Sequence, residues 1–234
     1  MSAVAEPRQF IERVSEGVWI HGEMNTPVTN VKAEPLVTSA GWMLEVIRVN
    51  DGERTLGLFL APFGIVTFDI PEFRATGKVN FVGLASYNAP PGWLKTSMLF
   101  DIGKTSLPAS PKELLALFQR PRPGTAVELA ANVSALSIAA KQHICDTYRE
   151  DIPISRIATT LGVSHAHLTR RFKRDLGFTP VDYRHRLRVS EATGRLFRGD
   201  DILDTGQDVG FNDTSRFYKD FRKITGTSPG KCRL

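Results

Sequence analysis

Apolar and polar positions divide the chain into two parts with different periods. Between residues 18 and 103, apolar residues alternate with polar ones or form short runs bounded by Pro and Gly, as in "WMLEVIRVN" and "RTLGLFLAP". Such patterns predict β-strands. Asn50-Asp51-Gly52 joins these two segments and suits a tight hairpin turn, because Asp-Gly tolerates positive φ. We predict about six or seven strands arranged as a sandwich or barrel.

A short helix is predicted to end this β-rich part. Ser110-Pro111-Lys112-Glu113 supplies an N-cap, a proline at the first helical position and a glutamate three residues after the cap. The following "PRPG" at Pro121–Gly124 breaks the chain, since neither proline continues a helix. We therefore place a β-rich domain at residues 1–124, a junction at 125–133 and a second domain at 134–234.

The second domain is predicted to be all-α, which makes the fold class α+β. Its apolar residues recur with helical spacing in segments such as "ISRIATTL", "HAHLTRRFKRDL" and "TSRFYKDFRKI". Several of these helices have only two or three turns. Short helices joined by tight turns favour helix-turn-helix units over a helix bundle.

A duplicated unit lies within this helical part. "LGVSHAHLTRRFK" and "VGFNDTSRFYKDFRK" align with Gly162 on Gly210, an offset of 48, and all later features match at an offset of 49. The second turn is therefore one residue longer. The features that match at the later offset are Leu168/Phe217, Phe172/Phe221, Gly177/Gly226, Pro180/Pro229 and Arg184/Arg233.

Each copy predicts a helix with one packing face and one presented face. The packing faces hold Leu168, Phe172 and Leu176 in the first copy and Phe217, Phe221 and Ile224 in the second. The presented faces hold Ala166, Thr169, Arg170 and Lys173 in the first copy, and Ser215, Lys219, Arg222, Arg216 and Lys223 in the second. Ser164 and Asp213 are the predicted N-caps.

The charge distribution indicates a polyanionic partner for the second domain. Residues 134–234 hold 18 Lys and Arg against 12 Asp and Glu, whereas residues 1–133 hold 12 against 13. The whole positive excess thus lies in the helical domain. A helix that presents Arg beside small polar side chains fits the major groove of double-stranded DNA, where Arg pairs with guanine.

The segments "ISRIATTLGVSHAHLTRRFKRDLGFTPVDYRHRLRVSEA" and "VGFNDTSRFYKDFRKITGTSPGKCR" resemble the AraC/XylS-type transcription regulators over about residues 134–234. The resemblance implies two helix-turn-helix units on a linking helix, with recognition helices in successive major grooves. It also implies these DNA-binding residues: Ala166, His167, Thr169, Arg170 and Lys173 for the first groove, and Ser215, Arg216, Lys219 and Lys223 for the second. Arg188 and Ala192 match the linking helix of that family.

Four positions depart from the family pattern. Thr205-Gly206 stands where the family usually has Ile-Ala, Arg195 replaces an expected apolar residue, and Ala166 is smaller than many residues found at its position. Glycine within a helix costs about 0.5–1 kcal/mol relative to alanine. We therefore expect the second unit to be the less stable one, and Gly206→Ala to stabilise it unless a neighbouring group packs too closely for a methyl.

Other chemistry finds little support in the sequence. His165 and His167 lie two apart, which places them about 200° apart on a helix and unsuited to one metal ion. His21 is the one histidine among the first 140 residues, and no nucleophile motif is present. Cys145 and Cys232 are expected to be reduced. We expect no metal, no cofactor and no enzymatic activity.

The role of the first domain stays open. Its aromatic residues either pack the core or line an effector pocket; the candidates are Trp42, Phe59, Phe68, Phe81 and Trp93. A regulator controlled by a protein partner is one alternative to a small-molecule sensor. A DNA-repair enzyme fused to a DNA-binding domain is another, but no cysteine precedes Cys145 to serve it.

The sequence also suggests a cellular location and a set of partners. No apolar run approaches the roughly 18 residues that span a bilayer, and the N-terminus resembles no targeting signal. We expect a cytoplasmic protein that binds double-stranded DNA and no membrane. RNA polymerase, a small-molecule effector and a second copy of the chain are its other candidate partners.

Overall fold

The structure, a computed structural model, describes residues 8–15, 18–28, 36–49, 54–66, 77–86, 96–119, 124–126 and 133–233. The chain forms two compact units, Met1–Leu36 with Gly41–Glu128 and Val37–Ala40 with Leu129–Leu234. The first is rich in β-strands and the helical segment Ala135–Cys232 belongs to the second, which confirms the predicted fold class. None of the described helices is long and apolar enough to cross a membrane.

An antiparallel sheet is the main element of the β-rich unit. Seven strands form one sheet in the order β1-β2-β7-β4-β5-β8-β9, and β3 pairs with β6. The strands are β1 Arg8–Ser15, β2 Val18–Val28, β3 Leu36–Val37, β4 Trp42–Val49, β5 Arg54–Leu60, β6 Ile65–Val66, β7 Gly77–Ser86, β8 Met98–Gly103 and β9 Gly124–Ala126. The predicted hairpin joins β4 to β5, with Val49 opposite Arg54, and its turn residues lie outside the described part.

The predicted helix, α1 (Pro111–Gln119), lies where the Ser-Pro-x-Glu sequence places it. Ser110 Oγ accepts a hydrogen bond from the Glu113 backbone N–H at 3.3 Å. The Glu113 carboxylate accepts one from Ala109 N–H at 2.9 Å, the residue before the N-cap. Leu114 and Phe118 of this helix join the buried cluster formed by one face of the sheet. The helix therefore closes the core of the β-rich unit.

Seven helices follow in the described part of the second unit. They are α2 Ala135–Thr147, α3 Ile154–Thr160, α4 His165–Leu176, α5 Pro180–Phe197, α6 Ile202–Asp208, α7 Thr214–Thr225 and α8 Pro229–Cys232. The long helix α5 packs against α2 and α4 on one side of the repeat and against α6, α7 and α8 on the other. Two helix-turn-helix units, α3–α4 and α6–α7, thus share the linking helix α5.

The turns of the two units have the same hydrogen-bonding pattern. Gly162 has φ of +70° and donates to Thr159 O at 3.0 Å, and Gly210 has φ of +98° and donates to Gln207 O at 2.8 Å. This left-handed conformation carries little penalty for glycine and a steric penalty for other residues. Each glycine therefore ends one helix and turns the chain towards the next, as the sequence alignment predicts.

Candidate nucleic-acid interface

The boundaries of helix α4 follow from its capping residues. Ser164 has an extended backbone, and its Oγ accepts a hydrogen bond from His167 N–H at 3.2 Å. At the other end, Gly177 adopts φ of 85° and donates to Lys173 O at 2.9 Å. The cap satisfies a backbone donor that would otherwise have no partner within the helix. This confirms Ser164 as the N-cap.

The two faces of α4 lie as its periodicity predicts. Leu168, Phe172 and Leu176 are fully buried, and Phe172 packs against the Tyr183 ring at a centroid distance of 5.8 Å. The predicted DNA-binding residues lie on the rest of the surface: Ala166, His167, Arg170 and Lys173 are exposed, and Thr169 is half-buried. Helix α4 therefore presents a basic surface beside a small side chain.

Helix α7 repeats this design with different residues. Asp213 accepts from Ser215 N–H at 2.8 Å at its start, and Gly226 ends it with φ of 76°. Phe217 and Phe221 are buried, with ring centroids 5.6 Å apart, and Ile224 is half-buried. The four residues predicted to contact DNA, Ser215, Arg216, Lys219 and Lys223, are all exposed.

An acidic residue under α7 orients one of these cations. Asp220 is buried, and its Oδ2 accepts from Arg216 Nε at 2.7 Å. His185 of α5 places Nδ1 3.0 Å from the same oxygen. Burial lowers the pKa of His185 to about 4 and Asp220 opposes this only in part, so the imidazole is neutral at pH 7. Arg216 is thus held through Nε, while about half of its side chain (53%) stays exposed.

Sequence reasoning missed this arrangement in part. The i,i+4 spacing of Arg216 and Asp220 is a signal that the sequence contains. The contribution of His185 depends on the packing of α5 against α7, which no local pattern encodes. Tyr218 and Arg222, which are absent from the predicted DNA-binding set, are also exposed on α7.

A second buried carboxylate ties α4 to α2. Asp175 Oδ2 accepts from Ser134 Oγ at 2.5 Å, Ser134 N–H at 3.1 Å, Ser137 Oγ at 2.8 Å and Arg171 Nε at 2.9 Å. Burial by itself opposes ionisation, but these hydrogen bonds outweigh it and hold the pKa of the Asp175 carboxyl well below its usual range. Helix α4 is thereby fixed to the helix that precedes its unit.

Comparison with known proteins agrees with this geometry. A family model described as a helix-turn-helix domain matches residues 157–234. The HTH-type transcriptional activator RhaS of Pectobacterium carotovorum is 33% identical over 89 residues, which are 38% of this chain and 32% of RhaS. The arabinose operon regulatory protein of Escherichia coli K12 is 30% identical over 96 residues, 39% of this chain and 30% of that protein. The C-terminal region is an AraC/XylS-type helix-turn-helix domain.

One relative matches beyond the AraC/XylS-type domain. The HTH-type transcriptional regulator RipA of Corynebacterium diphtheriae is 29% identical over 191 residues, which are 79% of this chain and 54% of RipA. The chain spans about a third of the length of RhaS and of the arabinose regulator, and about half that of RipA. The likeness is therefore strongest for the domain that holds α3 to α7.

The structure shows the surroundings of three departing positions of this AraC/XylS-type domain. Arg195 donates from Nε to Asp200 at 3.2 Å and from Nη2 to Asp208 at 2.5 Å, and so links the end of α5 to the end of α6. Thr205 is fully buried, and its Oγ1 has no hydrogen-bond partner in the structure. The Phe217 ring lies over Gly206, and a Cβ added to this glycine would be 3.0 Å from Cδ1 of the ring.

The expected gain from Gly206→Ala stays a prediction. The glycine lies in a helix, and a methyl there requires the buried Phe217 ring, whose Cδ1 would be 3.0 Å away, to yield by a few tenths of an ångström. Side-chain packing from α7 restricts this position, and the α6 sequence alone contains no sign of it. Whether the Phe217 ring yields decides between the expected gain and the alternative stated for Gly206, a neighbour too close for a methyl.

The candidate effector residues of the β-rich unit fall on two faces of the sheet. Trp42 and Phe59 lie together in the core cluster, with ring centroids 6.4 Å apart. Phe81 lies on the other face, 5.8 Å from the His21 ring. Phe68 and Trp93 lie outside the described residues. The structure thus does not bring the described members of this set into one site, and their role in effector binding stays a prediction.

The face that carries Phe81 also carries a polar row. His21, Gly83 and Glu45 lie opposite one another on β2, β7 and β4. A Cβ on Gly83 would be 2.6 Å from His21 Nε2, so the imidazole covers the glycine. His21 Nε2 has no hydrogen-bond partner in the structure, and burial lowers the pKa of His21 to about 4. Among the described residues, no group of three or more His, Cys, Asp or Glu could hold a metal ion.

Proposed function

We propose that the chain is a sequence-specific DNA-binding transcription regulator in which α4 and α7 enter successive major grooves of double-stranded DNA. The observation that carries the proposal is the repeated design of these two helices. Each begins at a side-chain cap, buries aromatic residues against the linking helix and presents a basic surface. A two-turn or three-turn helix with such a surface fits the width of a major groove.

The proposed division of contacts follows the exposed faces. In the first groove Arg170 pairs with a guanine edge, Lys173 neutralises phosphate, and Ala166, His167 and Thr169 line the approach. In the second groove Arg216 and Lys219 supply the cations, with Ser215 and Lys223 beside them. Arg216 is the better candidate for base pairing, since Asp220 fixes its Nε and orients the guanidinium.

A salt series on the full chain tests the DNA-binding proposal. The basic excess of residues 134–234 implies that bound Lys and Arg release phosphate counterions. We expect the logarithm of the affinity for a duplex selected from a random pool to fall linearly with the logarithm of the salt concentration. The affinity for random duplex should fall in parallel from a lower starting value. An affinity independent of salt, or equal for both duplexes, would contradict the proposal.

The β-rich domain, residues 1–124, is proposed to sense a small molecule in the cytoplasm and to control activation through the DNA-binding domain. RhaS is by name an activator, which supports this direction of control. The polar row at His21 supports an effector that carries a hydrogen-bonding group, because a buried unpartnered nitrogen is costly until a ligand satisfies it. The proposal gives the chain no catalytic step.

A protein partner in place of an effector is the competing function. Melting the chain with a panel of small metabolites distinguishes the two, since a ligand at about 100 times its dissociation constant adds roughly 2.7 kcal/mol of stability. A shift that His21→Phe abolishes would support the effector. An unchanged melting temperature across the panel, with recovery of a protein bound to the β-rich domain, would favour the partner.

A further inference from the structure

The linking helix makes one contact with both helix-turn-helix units through Arg188. Its Nε donates to Tyr148 O at 2.5 Å and its Nη2 donates to Glu150 O at 2.9 Å, in the segment that leads from α2 into α3. The same guanidinium lies over the Phe211 ring, 5.6 Å from its centroid, in the turn between α6 and α7. Arg188 is buried, so both contacts form out of water. One side chain thus joins the entrance of the first unit to the turn of the second.

The backbones of the two units also touch at this point. A Cβ on Gly210 would lie 2.3 Å from the carbonyl oxygen of Arg149 and 2.8 Å from its carbonyl carbon. No side chain fits there, because backbone atoms cannot move aside as a flexible side chain can. The equivalent glycine of the first unit, Gly162, has nothing within 4 Å of an added Cβ. The close approach is therefore a property of the second turn and not of helix-turn-helix turns as such.

Arg149 is itself held in place by a buried acid. Glu191 of α5 accepts from Arg149 Nη2 at 2.7 Å and from Arg149 Nε at 3.0 Å, a bidentate pair. It also accepts from the Tyr148 hydroxyl at 2.6 Å. Bidentate Arg–carboxylate pairs restrict geometry as well as distance. The carbonyl that Gly210 contacts is thus fixed from α5.

The extra residue of the second turn completes the contact. Asn212, which changes the offset between the repeats from 48 to 49, donates from Nδ2 to Asp151 Oδ2 at 3.1 Å. Asp151 belongs to the link between α2 and α3. We call the set formed by residues 148–152, Arg188, Glu191 and residues 210–212 the inter-unit joint.

We propose that the inter-unit joint fixes the separation of α4 and α7, and so makes the chain select DNA by the number of base pairs between the two contacted segments. The inference rests on the DNA binding proposed above. One added base pair moves the second groove by about 3.4 Å and turns it by about 34°. A pair of helices held through a buried arginine, a backbone contact and a bidentate ion pair cannot follow such a displacement.

The test measures how strongly binding depends on spacing. A duplex selected from a random pool by the full wild-type chain is compared with duplexes in which the DNA between the two protected segments is one base pair longer or shorter. We expect wild type to lose about tenfold or more in affinity on either change, because the second segment loses its base contacts. We call the affinity for the parent duplex divided by that for a duplex of changed length the spacing ratio. Gly210→Ala should bind the parent duplex more weakly and bring its spacing ratio towards one.

Gly162→Ala is the matched control. It places alanine in the same left-handed conformation in the other turn, but it meets no neighbouring atom. It should lower stability and keep the spacing ratio of wild type. A purely structural role of Gly210 predicts that both variants keep that ratio, which would overturn the proposal.

A milder variant covers the case in which Gly210→Ala does not fold. Asn212→Ala combined with Glu191→Gln removes the surface hydrogen bond and the charge of the buried pair without adding atoms to the joint. A folded double variant with the spacing ratio of wild type overturns the proposal, and a reduced ratio supports it. If wild type binds no duplex more tightly than random sequence, the proposed function itself is wrong. If wild type binds its selected duplex but tolerates every spacing, only the proposed role of the inter-unit joint is wrong.

Discussion

In the first helix-turn-helix unit the glycine of the turn faces open space, and the helix before it buries Ile157 and Ala158. In the second unit the equivalent glycine lies against the Arg149 backbone, and the equivalent helix buries Thr205 and Gly206. Caps, turns and helix ends are nearly the same in both. The difference therefore lies in the first helix of each unit and in what surrounds the turn glycine, and not in the caps or the turns themselves.

This contrast indicates how each unit is stabilised. The first buries Ile157 and Ala158 in its first helix, and its Phe172 and Phe178 rings pack against Tyr183 of α5. The Phe211, Phe217 and Phe221 rings form the corresponding cluster in the second. The second buries an unpartnered hydroxyl and lacks a methyl in its first helix, so that helix contributes less apolar packing than its counterpart. We therefore expect the second unit to unfold locally before the first when its packing is weakened.

The largest expected effects come from the two buried phenylalanines at equivalent positions. Phe172→Ala and Phe221→Ala should each lower the free energy of unfolding by about 3–5 kcal/mol, because both rings are fully buried and leave a cavity. Denaturant titration of the full chain measures this loss. Arg222→Ala, at an exposed position of α7, is the control and should change stability by about 0.5 kcal/mol or less. A loss below about 1 kcal/mol for either phenylalanine would show that the core assignment of its unit is wrong.

The next comparison concerns the cations at equivalent positions of the two helices. Arg170→Ala should weaken specific binding by about 1–3 kcal/mol and relax base preference at one position. Lys219→Ala should change preference about 10 base pairs away, since α7 is proposed to lie one helical turn further along the DNA. Binding to a library of single-base variants measures both effects. Lys231→Ala, an exposed lysine of α8, serves as the control for loss of charge alone. Overlapping positions for Arg170 and Lys219 would contradict two adjacent grooves.

The sequence was sufficient to predict what local interactions determine. The caps at Ser164 and Asp213, the hairpin between β4 and β5 and the buried faces of α4 and α7 depend on neighbours within a few residues. Alternation and helical spacing encode these features directly. For the same reason the exposed DNA-binding candidates could be named before the structure.

The contacts that the sequence could not predict join residues on different elements of the fold. The contact of Gly210 with Arg149 joins positions 61 apart, and the Phe217 ring over Gly206 belongs to another helix. Packing between helices, and not the local sequence, brings such residues together. The same limit explains why Trp42 and Phe81, both aromatic residues on strands, could not be assigned to opposite faces of one sheet before strand register was known.

A smaller effect is expected from the hydroxyl that the second unit buries. Thr205→Val keeps the shape of the side chain and removes an oxygen that has no partner in the structure. We expect a gain of about 1 kcal/mol, because an unsatisfied buried polar group costs about 1–3 kcal/mol. Thr193→Val is the matched control, since Thr193 Oγ1 donates to Val189 O at 2.8 Å and its loss should bring no gain. Equal changes for both variants would mean that the Thr205 hydroxyl is satisfied in solution.

The smallest expected effect is that of Gly206→Ala, in which two contributions oppose each other. Alanine favours the helix by about 0.5–1 kcal/mol. Against this, the new methyl would lie 3.0 Å from the Phe217 ring, which the Phe211 and Phe221 rings hold at centroid distances of 5.3 and 5.6 Å. Because a ring packed on both sides yields little, we expect a net loss of a few tenths of a kcal/mol to about 1.

Gly230→Ala isolates the helix contribution. Gly230 lies in α8, and its added Cβ would have only Ile202 Cδ1 nearby, at an ordinary contact distance of 3.9 Å. This variant should raise the melting temperature, because alanine reduces the entropy of the unfolded chain and meets no obstacle. A rise of equal size for Gly206→Ala would show that the Phe217 ring moves aside freely, and the second unit would then be as adaptable as the first. A fall for Gly206→Ala with a rise for Gly230→Ala would show that packing by α7, and not helix propensity, selects glycine in α6.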